Sequence, residues 1–150
     1  MERLNLPPYD YKISNSGTNS LIFDVLRKKY VVLTPEEWVR QHVVHYLISH
    51  LHYPKSLISI ERGTSYNKLQ KRTDLCVYNS EGKPHLLIEC KAAYVPVTQE
   101  VLKQVSVYNQ TLKAKYVAIT NGKQHYCWQV DHATRSYTPL QEIPSFEALA

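Results

Sequence analysis

The stretch RTDLCVYNSEGKPHLLIECK, residues 72–91, decides the fold. Residues 73–78 are β-branched, apolar and aromatic, and residues 85–90 hold Leu86, Leu87 and Ile88 in a row, so each reads as a strand. Between them Asn79-Ser80-Glu81-Gly82 is turn chemistry, with Gly82 free to take a positive φ. In a strand successive side chains alternate faces, so Glu89 and Lys91 share one face and Cys90 points to the other. Asp74 opens the first strand and Glu89 nears the end of the second. Antiparallel pairing would bring Asp74, Glu89 and Lys91 to one open end of the sheet. A hard divalent cation such as Mg²⁺ would relieve the repulsion between the two carboxylates, because it prefers oxygen ligands. Taken alone, a Glu-x-Lys triplet is common, and acid–lysine pairs at strand ends are more often solvated surface than chemistry.

The chain has 150 residues, the size of one domain, with 43% hydrophobic and 21% charged residues. That composition is ordinary for a soluble globular protein with one core. The net charge of +5 and pI near 9.1 permit an acidic partner without requiring one. Most of the twelve tyrosines are expected at half-exposed strand and helix positions, with a few available for stacking. Cys76, Cys90 and Cys127 form neither an even disulfide set nor a zinc spacing, so they read as buried free thiols of a cytoplasmic protein. No signal segment opens the chain and no apolar run approaches a membrane span.

Outward from the hairpin, Thr34-Pro35-Glu36-Glu37 is a helix start: Thr34 as N-cap, Pro35 at the first position, and acids at the positive dipole end. The helix is expected to run to about His50, with Val39, Val43, Tyr46 and Leu47 as its apolar stripe. Glu37 completes a capping box, whereas Glu36 shares a face with Arg40. His42 and His45 read as surface or interfacial groups rather than metal ligands, because no third ligand or His-Glu-x-x-His pattern accompanies them. Residues 1–8 read as loosely ordered, followed by strands over 9–14, 20–25 and 30–33. Residues 61–72, ERGTSYNKLQKR, form a polar, basic segment that suits either a phosphate-binding loop or a solvated hairpin.

After the central hairpin, Thr98 opens a second helix over about 99–112, with Val101, Leu102, Val105 and Tyr108 on its buried side and Gln104 on the face of Tyr108. Strands are expected over 116–120, 125–130 and 136–140, joined by an Asn121-Gly122 turn and a turn over 131–135. There is no internal repeat and no nucleotide-binding GxxxxGK[ST] loop. The expected division is an N-terminal β extension over 1–33, a main domain over 34–140 and a tail over 141–150.

Asp74, then Glu89-x-Lys91 after a hairpin, then a helix with Gln104-x-x-x-Tyr108, resembles the PD-(D/E)xK nuclease superfamily. Within it the chain resembles the N-terminal nuclease domain of type I restriction enzyme R subunits. The resemblance is carried by TPEEWVRQ (34–41), KRTDLCVY (71–78), KPHLLIECKA (83–92), TQEVLKQVSVYN (98–109) and AITNGKQHY (118–126). It implies a restriction-endonuclease-like fold of mixed α/β class, a central mixed sheet flanked by helices, here with an N-terminal β meander. It implies a Mg²⁺-dependent DNA endonuclease, Mn²⁺ being an alternative cation. Asp74, Glu89 and the Cys90 backbone carbonyl would hold the metal, and Lys91 would position water and stabilise charge on the phosphate. Gln104 and Tyr108 would support the lysine and the DNA backbone. The acid of the first helix would be Glu36, with Glu37 the alternative, and Arg40, Lys68, Lys71 and Arg72 would join the DNA-facing set. Partners implied are DNA, motor or specificity subunits on other chains, and a homodimer as one arrangement of two sites. The alternative is a non-catalytic DNA- or protein-binding module on the same fold.

Overall fold

The computed structural model describes residues 1–60 and 74–146. Lys68, Lys71, Arg72 and the rest of the basic segment, with Thr73 and the end of the tail, lie outside the described residues.

A six-stranded sheet runs in the order β4 (Ile58–Ile60), β5 (Leu75–Tyr78), β6 (Pro84–Cys90), β7 (Tyr116–Thr120), β8 (His125–Asp131) and β9 (Ser136–Leu140). The expected hairpin is β5–β6, antiparallel, with Gly82 at φ 77° in its turn. Among the described residues only β6 and β7 run parallel, so the chain must cross over the sheet between them. That crossover is the helix α2 (Gln99–Leu112). It ends with Lys113 in the left-handed region at φ 59°, and the Asn109 side chain then holds the turn by accepting from Ala114 N–H (2.8 Å) and donating to Ala114 O (3.0 Å). Every residue of β7 is buried, as a strand covered on both faces requires.

The two faces carry separate cores. The helix α1 (Pro35–Ser49) packs with Leu75, Val77, Leu86, Ile88 and Cys90, whereas α2 packs through Val105 with Cys76, Leu87, Val117 and Ile119. Thr34 caps α1 as the sequence predicts, its hydroxyl accepting from Glu37 N–H at 3.0 Å. The three cysteines are buried and free.

The N-terminal meander, β1 (Ile13–Ser16), β2 (Asn19–Asp24) and β3 (Lys29–Val32), is antiparallel throughout. The N-terminal residues change the reading of α1. The sequence predicts one apolar stripe, yet Trp38, Arg40, Gln41, His42 and Val44 are buried as well. Tyr11 meets Trp38 and Tyr9 meets His42 edge-on, Gln41 bonds Glu37, Val44 shares a core with Ile22 of β2, and Arg40 reaches Asp74 at the sheet end. His42 is therefore not a surface group: its Nδ1 lies 2.8 Å from the Trp38 carbonyl, which can only accept, so Nδ1 carries the proton.

The expected loose order over residues 1–8 is also corrected. Leu4 is buried, Trp38 Nε1 donates to Glu2 O at 2.7 Å, and Asn5 N–H donates to Gly122 O at 2.8 Å. The strand expected over 9–14 starts only at Ile13, since Tyr9 instead stacks on His45 and Tyr11 meets Trp38 edge-on.

Candidate active site

Pairing of Leu75 with Ile88 sets Asp74 opposite Glu89, at the end of β6 where the chain leaves the sheet. The Asp74 carboxylate is gripped from two directions. Its Oδ2 accepts from Cys90 N–H at 2.8 Å, and its Oδ1 accepts from Arg40 Nη2 at 3.0 Å. Lys91 Nζ lies 3.2 Å from Glu89 Oε2, as their shared strand face requires. The three groups that the hairpin predicts to meet are thus brought together.

Their electrostatics are unequal. Burial pushes the Glu89 carboxyl up to about 7, the Asp74 charge adds to the rise, and Lys91 opposes it. Glu89 Oε1 is buried with no hydrogen-bond partner among the described residues. A buried acceptor without a donor is costly, and it is the atom a cation would satisfy. The Cys90 thiol between these charges is pushed well up by burial and stays neutral, which leaves only its backbone to take part.

Helix α1 closes the other side. Arg40 is fully buried and bonds Glu36 Oε1 at 2.6 Å and Asp74 Oδ1 through the same Nη2. Its Nη1 lies 2.9 Å from Glu37 Oε1, without hydrogen-bond alignment. Glu36 therefore stands beside Asp74 and keeps part of its side chain in solvent. Glu37 turns away into the buried interior, where Arg27 Nη2 at 3.3 Å and Gln41 Nε2 at 2.9 Å donate to it. Arg40, expected in the DNA-facing set, is fully buried here, and its guanidinium lies against the carboxylates of Glu36, Glu37 and Asp74. Sequence spacing showed the Glu36–Arg40 pair, but only the packed fold shows that Arg40 spans to Asp74.

Gln104 and Tyr108 are half-buried on α2, on the sheet face that also carries Glu89. Among the described residues no hydrogen bond joins Gln104 to Glu89 or Lys91. Among the described residues there is also no group of three or more His, Cys, Asp or Glu side chains placed to hold a metal ion. A two-carboxylate site suits Mg²⁺, which takes one or two carboxylates and keeps several waters, and it does not suit a site closed by protein ligands. With the orphaned Glu89 Oε1, the donor set fits a hard divalent cation.

A mixed sheet with one parallel crossover, helices on both faces and an acid–acid–lysine end is a restriction-endonuclease-like fold. The family model described as the type I restriction enzyme R protein N terminus (HSDR_N) matches residues 35–144, and the chain belongs to that family. No curated protein matches the chain closely enough to add a relative to that finding. Among the described residues no helix is long and apolar enough to cross a membrane.

Proposed function

We propose that the domain is a Mg²⁺-dependent DNA endonuclease of the PD-(D/E)xK type. The observation that carries the reading is the meeting of Asp74, Glu89 and Lys91 at one sheet end, with Lys91 Nζ 3.2 Å from Glu89. Asp74, Glu89 and the Cys90 carbonyl would hold the cation. When bound, it polarises a phosphoryl oxygen and lowers the pKa of water.

The chain's own residues do the rest. Lys91 keeps its ammonium beside the carboxylates, where negative charge grows on the phosphate as a water oxygen bonds to phosphorus and the bridging P–O bond breaks. The water's proton leaves to solvent and the departing sugar oxygen takes one up. Arg40 fixes Asp74 against rotation, and the Cys90 N–H fixes it from the sheet. The net charge of +5 favours a polyanionic substrate. Motor or specificity subunits on other chains would deliver the DNA, as membership in an R-protein family suggests.

The same grip on Asp74 favours a second reading, a non-catalytic DNA-binding module, because Arg40 already neutralises part of the acid cluster. Incubation of supercoiled plasmid and single-stranded DNA with Mg²⁺ or Mn²⁺, beside a Lys91→Ala protein, separates the two. Cleavage by the parent alone supports the nuclease. Salt-sensitive binding without product from either protein supports the module.

A further inference from the structure

Two strands away from Glu89, on the same sheet face, an aromatic pair stands beside a hollow that the acid–lysine cluster does not use. Glu89 pairs with Ile119, and Ile119 pairs with Tyr126, so the three lie in one row across β6, β7 and β8. Two strand spacings separate Glu89 from Tyr126, roughly 10 Å. Trp128 follows on the same face of β8, and the two rings are nearly parallel, 21° apart with centroids at 6.2 Å. A hollow of about 230 Å³ opens between them and the start of α2, lined by Val97, Thr98, Gln99, Leu102, Tyr126 and Trp128.

The chemistry of this hollow is mixed in a particular way. Trp128 packs its inner part against the α2 core, whereas Tyr126 is 42% exposed. Val97 and Leu102 give an apolar floor. The Thr98 hydroxyl makes no capping bond to its own helix, so it and the Gln99 amide can hydrogen-bond an edge laid beside them. Flat π-faces with polar groups at the rim suit a planar heterocycle with hydrogen-bonding edges. A base inside a duplex cannot offer its face, because the stack covers it; an unpaired base can.

We propose that Tyr126 and Trp128 are a stacking platform for an unpaired nucleobase, and that the strand engaged by the Glu89 site is single-stranded or frayed nucleic acid. The proposal rests on the nuclease reading for the strand's path past Glu89. A strand whose phosphate lies at the carboxylates brings a nearby base to the rings.

Binding is read without cleavage. The full chain in metal-free buffer with chelator is titrated with a short oligothymidylate while tryptophan fluorescence is followed. Trp38 is buried on the other side of the sheet and gives a constant background. The oligothymidylate is expected to quench Trp128, and a blunt two-stranded duplex of equal charge, with no loop or overhang, is expected not to. Tyr126→Ala should weaken the oligothymidylate about 5- to 150-fold and Tyr126→Phe should restore it, since the ring does the stacking. The exposed position leaves folding intact, which circular dichroism checks. Absence of quenching, equal quenching by the duplex, or an unchanged Tyr126→Ala protein overturns the platform. So does quenching that follows protein concentration alone, which would assign the face to a second copy of the chain. Because no metal is present, a failure to cut DNA leaves this outcome standing, and cleavage without stacking overturns only the platform.

Discussion

The fully buried guanidinium of Arg40 donates to Asp74 at 3.0 Å, tying the first helix to the carboxylate that opens β5. The same side chain also neutralises Glu36 and Glu37. One residue thus couples the stability of α1 to the shape of the acid cluster.

Arg40→Met is expected to cost roughly 3–5 kcal/mol, the penalty of leaving buried carboxylates without their cation. Arg40→Lys should recover only part of it, because an ammonium cannot span three acids as a planar fork does. Urea unfolding at neutral pH measures both, and a shift under 1 kcal/mol for Arg40→Met would contradict the coupling.

Lys91→Ala should lower DNA cleavage by about 10²-fold or more, in line with the loss of a preorganised positive group at a reacting phosphate. Lys91 is partly solvated at 28% side-chain exposure, so its thermal midpoint should stay close to the parent's. Equal cleavage rates for parent and mutant would remove Lys91 from the mechanism.

Mg²⁺ should raise the melting temperature of the parent in a concentration-dependent way, since a ligand of the folded state stabilises by mass action. Asp74→Asn and Glu89→Gln should each abolish the shift. Differential scanning fluorimetry with and without chelator gives the answer with no substrate present.

His42 supplies a pH dependence. Burial lowers its pKa in the folded chain below the ordinary 6.5. The unfolded chain therefore takes up the proton first as pH falls. The stabilisation from the neutral ring is fully present above pH 6.5 and is lost as pH falls through the lower folded value. Burial lowers His45 in the same direction. Urea midpoints taken from pH 7.5 down to 5 should fall more steeply for the parent than for His42→Gln, and parallel curves would exclude the role.

Gly122→Ala should destabilise by about 1 kcal/mol or more. Gly122 sits at φ 85°, and an added Cβ would come within 2.8 Å of Leu4 and 3.2 Å of Val39. The N-terminal segment should loosen with it, so proteolysis near residues 1–12 should speed up. Unchanged stability would mean that Leu4 moves aside freely.

Local chemistry alone determined the β5–β6 hairpin, the capped start of α1, the extent of α2 and the fully buried β7. Each rests on neighbours in the chain: strand alternation, an N-cap followed by proline, a turn glycine. The likeness of Asp74, Glu89 and Lys91 to a known constellation was legible for the same reason, since strand period and one hairpin turn place all three. What the N-terminal segment covers was not legible. Trp38 and His42 look like the outer face of an amphipathic helix until Tyr11 and Tyr9 meet their rings, and Arg40 looks solvated until it reaches Asp74. Whether Arg40 reaches Asp74, and whether Tyr126 shares a row with Glu89, depended on pairings between distant strands and layers. Those pairings are set by burial summed over the whole sheet, and no short window of sequence contains that sum.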